Sequence, residues 1–112
     1  MAFSDQGSGT PVVLIHGFPL NRRIWQPQLE ALSQQVRIIT PDLRGHGDSQ
    51  TVTGPYIMDL LAQDVAALLD QLQITKPVIL GGLSMGGYVT FAFYRLFPER
   101  VKGLILTATR AA

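Results

Sequence analysis

Hydrophobic residues in this chain gather into four short runs: Val12-Val13-Leu14-Ile15, Val36-Arg37-Ile38-Ile39, Val78-Ile79-Leu80 and Leu104-Ile105-Leu106. Three of the four are unbroken. A strand with one wet face alternates apolar and polar residues. Unbroken runs of this length therefore predict strands buried on both faces, as in a parallel sheet. Between the runs the period changes. Ile24, Trp25, Leu29 and Leu32 predict a helix over about 22–34. Leu61, Val65, Leu68 and Leu72 step by four, three and four, with Asp59, Asp64 and Asp70 on other faces. That spacing predicts an amphipathic helix over about 56–73. A third helix is predicted from 84 to about 97, where Pro98 stops it. The alternation of strand and helix predicts an α/β fold of βαβ units with right-handed crossovers. Its architecture is a three-layer sandwich: a mostly parallel sheet of four or five strands with helices on both faces. Asp5 to Pro11 reads as a turn cluster, the few residues before it as a short extra strand, and Gln50 to Pro55 as a polar loop.

Composition changes this picture in one respect. The 112 residues are 46% hydrophobic and only 15% charged, where a soluble domain typically carries roughly 25% charge. Mean hydropathy is +0.21. A single domain over 1–112, undivided by linker or repeat, has little charge to cover its surface and is expected to pack against more protein. Net charge is +1 with no basic stripe, which argues against nucleic acid as a partner. The absence of cysteine excludes disulfides and thiolate metal sites. The N-terminus lacks the basic and apolar regions of a signal peptide, and no apolar run approaches the roughly 18 residues that span a bilayer. A cytoplasmic protein without membrane contact is expected.

The candidate chemistry sits just after the buried runs. Gly82-Leu83-Ser84-Met85-Gly86 reads G-x-S-x-G, entered from a strand and leaving into a helix. A nucleophile on such a turn brings the residues two before and two after it close together, so both must be small. Gly82 and Gly86 meet that demand. Ser84 is the candidate nucleophile, at a helix N-terminus that favours developing negative charge. His16-Gly17-Phe18-Pro19 follows the first run. An oxyanion needs two preorganised N–H donors; Met85 and Phe18 are the candidates. His16 has two readings, a structural histidine bonded within its loop or a substitute base for Ser84. Pro41-Asp42-Leu43-Arg44-Gly45-His46-Gly47-Asp48-Ser49 reads as a loop network of hydrogen bonds and ion pairs rather than a metal or acid/base site. No metal and no cofactor are expected. Trp25, Phe91, Phe93, Tyr94 and Phe97 read as core or interface aromatics.

These three motifs, in this order and spacing, resemble the N-terminal half of an α/β-hydrolase-fold enzyme of the esterase, 3-oxoadipate enol-lactonase-like and perhydrolase branch. The resemblance makes the four runs the family's third to sixth strands and the stub before Asp5 its second. It implies a serine hydrolase acting on a small carboxylic ester or lactone. It also implies a triad in the order serine, acid, histidine. After Ser84 this sequence holds no histidine, and its only acid is Glu99. The chain is thus expected to be a partial α/β-hydrolase domain that keeps the elbow and the oxyanion loop but lacks the acid and base, with weak or no turnover alone. The alternative is a non-catalytic, self-associating scaffold, or a fragment that needs a partner chain. Either way, strand 103–108 is expected to be an exposed edge beside a bare sheet face, pairing with a second copy in a homodimer or with a complementing chain.

Overall fold

The computed structural model of the chain describes residues 2–16, 22–43, 57–83 and 85–107. Five strands form one sheet in the order β1-β3-β2-β4-β5. They are β1 (Phe3–Gln6), β2 (Pro11–Ile15), β3 (Arg37–Pro41), β4 (Val78–Leu83) and β5 (Val101–Thr107). Three helices accompany them: α1 (Gln26–Leu32), α2 (Ile57–Gln71) and α3 (Met85–Leu96). β2 pairs parallel with β3 and β4, and β4 pairs parallel with β5. Only β1 runs antiparallel, against β3.

Alternate residues of one strand enter different layers, which is why the runs are unbroken. Val13, Ile15 and Ile39 pack with Leu61, Val65, Leu68 and Leu69 of α2 and Val89 and Phe93 of α3. Val12, Leu14 and Ile38 form the second layer with Trp25, Val36 and Ile79. Both faces of β2 and β3 are therefore dry, and the predicted three-layer sandwich is the observed one. Phe93 is fully buried, its ring 5.2 Å from that of Phe97. Burying a side chain of this size stabilises by roughly 1.5–3 kcal/mol.

The elements depart from the sequence reading in four places. The expected helix over 22–34 is divided. Residues Arg22–Trp25 form a 3-10 turn, and only Gln26–Leu32 are α-helical. Pro27, which donates no hydrogen bond, fits only the first turn of α1, and Leu32 lies exposed rather than in the core. The stub strand is longer than expected. Asp5 and Gln6 leave the predicted turn cluster and pair with Ile39 and Ile38. The Arg37 guanidinium grips Asp5 with two bonds of 2.9 and 2.6 Å, a diagonal cross-strand pair. That bond and the Asp5 charge raise the Arg37 pKa, with burial opposing. The turn itself is kept to Gly7 and Gly9, both at positive φ. β4 continues through Gly81, Gly82 and Leu83, because β2 and β5 offer main-chain partners on both sides. β5 begins at Val101, and its register slips by one residue where Val78 meets Val101 and Ile79 meets Gly103. The loop 50–55 and Ala108 lie outside the described residues. Among the described residues no helix is long and apolar enough to cross a membrane.

Candidate active site

The motifs converge at the carboxyl ends of β2, β3 and β4, the middle strands of the sheet. β4 ends at Leu83 and α3 starts at Met85, which leaves position 84 alone between a strand and a helix. Ser84 itself lies outside the described residues, and so does Phe18. What surrounds position 84 is described, and it is tight. A Cβ on Gly82 would overlap the carbonyl group of Gly86 and stand 2.6 Å from the nitrogen of Gly87. A Cβ on Gly86 would overlap the carbonyl group of Ile15 and stand 2.6 Å from the carbonyl oxygen of His16. Those neighbours are backbone atoms, which cannot rotate away. The chain therefore folds back so sharply across position 84 that residues two before and two after it touch without room for a methyl group. The same contact sets the first turn of α3 against the end of β2, where the His16-Gly17-Phe18 segment begins.

Met85 opens α3, and the N–H groups of a helix's first turn have no acceptor inside the helix. Thr90, fully buried, donates its hydroxyl to the Gly86 carbonyl at 2.9 Å and closes that first turn. The main-chain donor assigned to Met85 thus belongs to a helix end that is held on two sides.

His16 is fully buried, and its Nε2 accepts a 3.0 Å hydrogen bond from the Leu43 N–H. An imidazole whose Nε2 accepts carries its proton on Nδ1. Neutral His16 then keeps no lone pair for abstracting a proton. This supports a structural histidine over a substitute base, although the bond reaches the Leu43 main chain past the end of β3 rather than a group in the histidine's own loop. Asp42 is also buried, and it accepts the Arg22 N–H at 2.7 Å on Oδ1 and the Arg22 guanidinium on Oδ2. The expected loop network over 41–49 falls mostly outside the described residues; the Asp42 ion pair within them is with Arg22, twenty residues upstream and outside the motif. A carboxylate in a strand-end motif that begins in the core demands a cation, and that signal was present. Which arginine would answer it was not. His46, Arg44 and Asp48 lie outside the described residues. Among the aromatics, Phe93 is core, Trp25 packs on the α1 layer with its indole N–H buried and unpartnered, and Tyr94 is exposed.

Residues 10–112 match the family described as the alpha/beta hydrolase fold. The chain belongs to the α/β-hydrolase fold family. It superposes on a thermophilic esterase from Thermogutta terrifontis, malate bound, with a TM-score of 0.95 and 53% identity, over 98% of this chain and 40% of the esterase. A putative non-heme chloroperoxidase of Synechocystis is 41% identical over 95% of this chain and 39% of its own length. A 3-oxoadipate enol-lactonase of Acinetobacter baylyi is 37% identical over 95% of this chain and 39% of its own length. The chain thus spans about two fifths of these relatives. At the level of the family, these relatives support a hydrolase.

Proposed function

We propose that this chain carries the nucleophile and oxyanion side of a serine-hydrolase site for small carboxylic esters or lactones. The observation that carries the reading is the contact of Gly82 with Gly86 across position 84, with Gly86 set against the end of β2. Such a bend holds a side chain clear of both flanking elements, at the N-terminus of a helix. Ser84 Oγ attacks the acyl carbon, and the carbonyl oxygen becomes an oxyanion held by the N–H groups of Met85 and Phe18. The serine proton passes to a base other than His16, whose lone pair is engaged with Leu43. The alkoxide leaves with a proton, and water then hydrolyses the acyl-serine. An esterase and an enol-lactonase among the relatives support ester and lactone substrates. The reading needs no metal and no cofactor.

Because a serine hydroxyl is weak without a base, the test supplies one. The chain and its Ser84→Ala variant are given an activated aryl ester across a range of imidazole concentrations. Turnover above the Ser84→Ala background that rises and saturates with imidazole is the expected result. Identical rates for both proteins at every imidazole concentration overturn the reading.

A second reading, a self-associating scaffold without turnover, is favoured by β5. Among the described residues this strand pairs only with β4, and it exposes Leu104, Ile105 and Leu106 at 37%, 50% and 39%. The occupant it suits is a second copy of the chain. A two-fold antiparallel pairing centred on Ile105 sets Leu104 against Leu106 and Ile105 against itself, apolar against apolar on both faces.

A further inference from the structure

We propose that Thr90 is a positioning residue for the oxyanion donor at Met85: its hydroxyl holds the Gly86 carbonyl, the group on which β2, β4 and α3 meet. The positioning role rests on the serine-hydrolase reading; the hold on the carbonyl does not.

Three constraints act on Gly86. From β4, the Gly82 Cα stands so close that a Cβ would overlap the Gly86 carbonyl group and come within 2.6 Å of the Gly87 nitrogen. From the end of β2, the Ile15 and His16 carbonyl groups press on the Gly86 Cα in the same way. Both contacts are steric limits on approach, and neither pulls. The third is the Thr90 hydroxyl, which donates to the Gly86 carbonyl oxygen at 2.9 Å from one turn further along α3. It is the directional bond of the three. Thr90 is fully buried, and among the described residues it is the buried polar side chain of α3.

A hydroxyl that bonds the carbonyl four residues back is common in helices, and it adds little to their stability. The ladder already directs the N–H of the same residue to that carbonyl, and the shared acceptor bends the turn. At a fully buried position, valine has nearly the same shape and takes no hydroxyl out of water. Stability therefore gives no reason for a hydroxyl here; its acceptor does. The Gly86 carbonyl belongs to the helical turn that carries the Met85 N–H. The direction of that N–H follows the tilt of the turn. An oxyanion hole works because its donors are in place before charge develops. A misplacement of about 1 Å costs on the order of 10²-fold in rate, and a turn freed to tilt by a fraction of that costs about tenfold.

The test uses the whole chain with Thr90→Val, which keeps the shape and removes the donor, and Thr90→Ser, which keeps the donor and loses a methyl group. The Gly86 carbonyl-carbon chemical shift, the urea midpoint, and kcat and KM in the imidazole-assisted ester assay are read for each. The Gly86 signal is expected to move in Thr90→Val and to return in Thr90→Ser. Thr90→Val is expected to lose about tenfold in kcat with KM within about threefold, and Thr90→Ser to recover the loss. The order of urea midpoints is expected to be the reverse, with Thr90→Val above Thr90→Ser, because the lost methyl leaves a gap in the core. A purely structural hydroxyl makes activity follow stability, so Thr90→Val above Thr90→Ser in both orders overturns the positioning role. A Gly86 signal unmoved in Thr90→Val overturns the hold. If Thr90→Val fails to fold, Thr90→Ala removes the same donor in the strongest helix former and gives the same readouts. A chain without Ser84-dependent turnover defeats the hydrolase reading, and with it the positioning role, while the Gly86 signal still decides the hold. Ser84-dependent turnover with kcat unchanged in Thr90→Val defeats the positioning role alone.

Discussion

Gly82 and Gly86 are the two residues on which the candidate site's shape depends, because each faces backbone atoms at a distance no Cβ tolerates. Gly82→Ala and Gly86→Ala are each expected to destabilise the fold by about 3 kcal/mol, the upper part of the range for overpacking. Urea denaturation of the folded variants measures it, and a midpoint within error of the unaltered chain would contradict the geometry. Gln73 is the opposite case. It ends α2 in the left-handed region at φ 59, exposed, with its N–H bonded to Asp70 and the Ile74 N–H bonded to Leu69. A glycine takes this conformation without the side-chain clash. Gln73→Gly is expected to stabilise by about 0.5 kcal/mol, the relief of the left-handed backbone exceeding the added entropy of the unfolded chain. A thermal melt reads the sign. The glycine pair was legible in the sequence because a G-x-S-x-G turn dictates small residues at fixed offsets. Gln73 was not legible, since nothing in its side chain signals a positive φ.

At the scale of elements, α3 is held by burial and not by charge. Its Phe93 is fully enclosed by α2 and the sheet, whereas its Arg95 pairs with Asp59 of α2 at a mostly solvated position. Phe93→Ala is expected to cost about 3–5 kcal/mol, and Arg95→Ala less than about 1 kcal/mol, as exposed pairs do. Comparable losses in a denaturation series would refute this ordering. Element type was readable wherever the apolar period was clean, as in α2 and the four strand cores. Boundaries were not. The run Gly81-Gly82 looks like a turn because glycine carries no apolar side chain, yet main-chain partners on both sides extend β4 through it. The helix near Trp25 looks continuous by spacing, yet Pro27 confines the α-helical part to the residues after Trp25.

For the whole molecule the governing feature is the apolar edge at β5. With Leu104, Ile105 and Leu106 exposed on a strand that pairs on one side among the described residues, the chain is expected to self-associate at micromolar concentration. Ile105→Lys places a charge at the centre of the proposed two-fold pairing and is expected to shift the sedimentation profile to monomer. An unaltered chain that already sediments as a monomer, or a lysine variant that associates equally well, would sink the scaffold reading. The α/β-hydrolase relatives are about two and a half times as long as this chain.

The sequence by itself determined the fold class, the family and the small residues of the elbow. All three depend on local rules: the period of apolar positions, the residues a tight bend admits, and the order of motifs along the chain. Tertiary structure decided the rest. It took the His16 lone pair for Leu43 and gave Asp42 to Arg22. It carried β4 past the apolar run Val78–Leu80 through Gly81 and Gly82. Those outcomes depend on which distant groups arrive within hydrogen-bonding range, and one-dimensional spacing does not encode that distance.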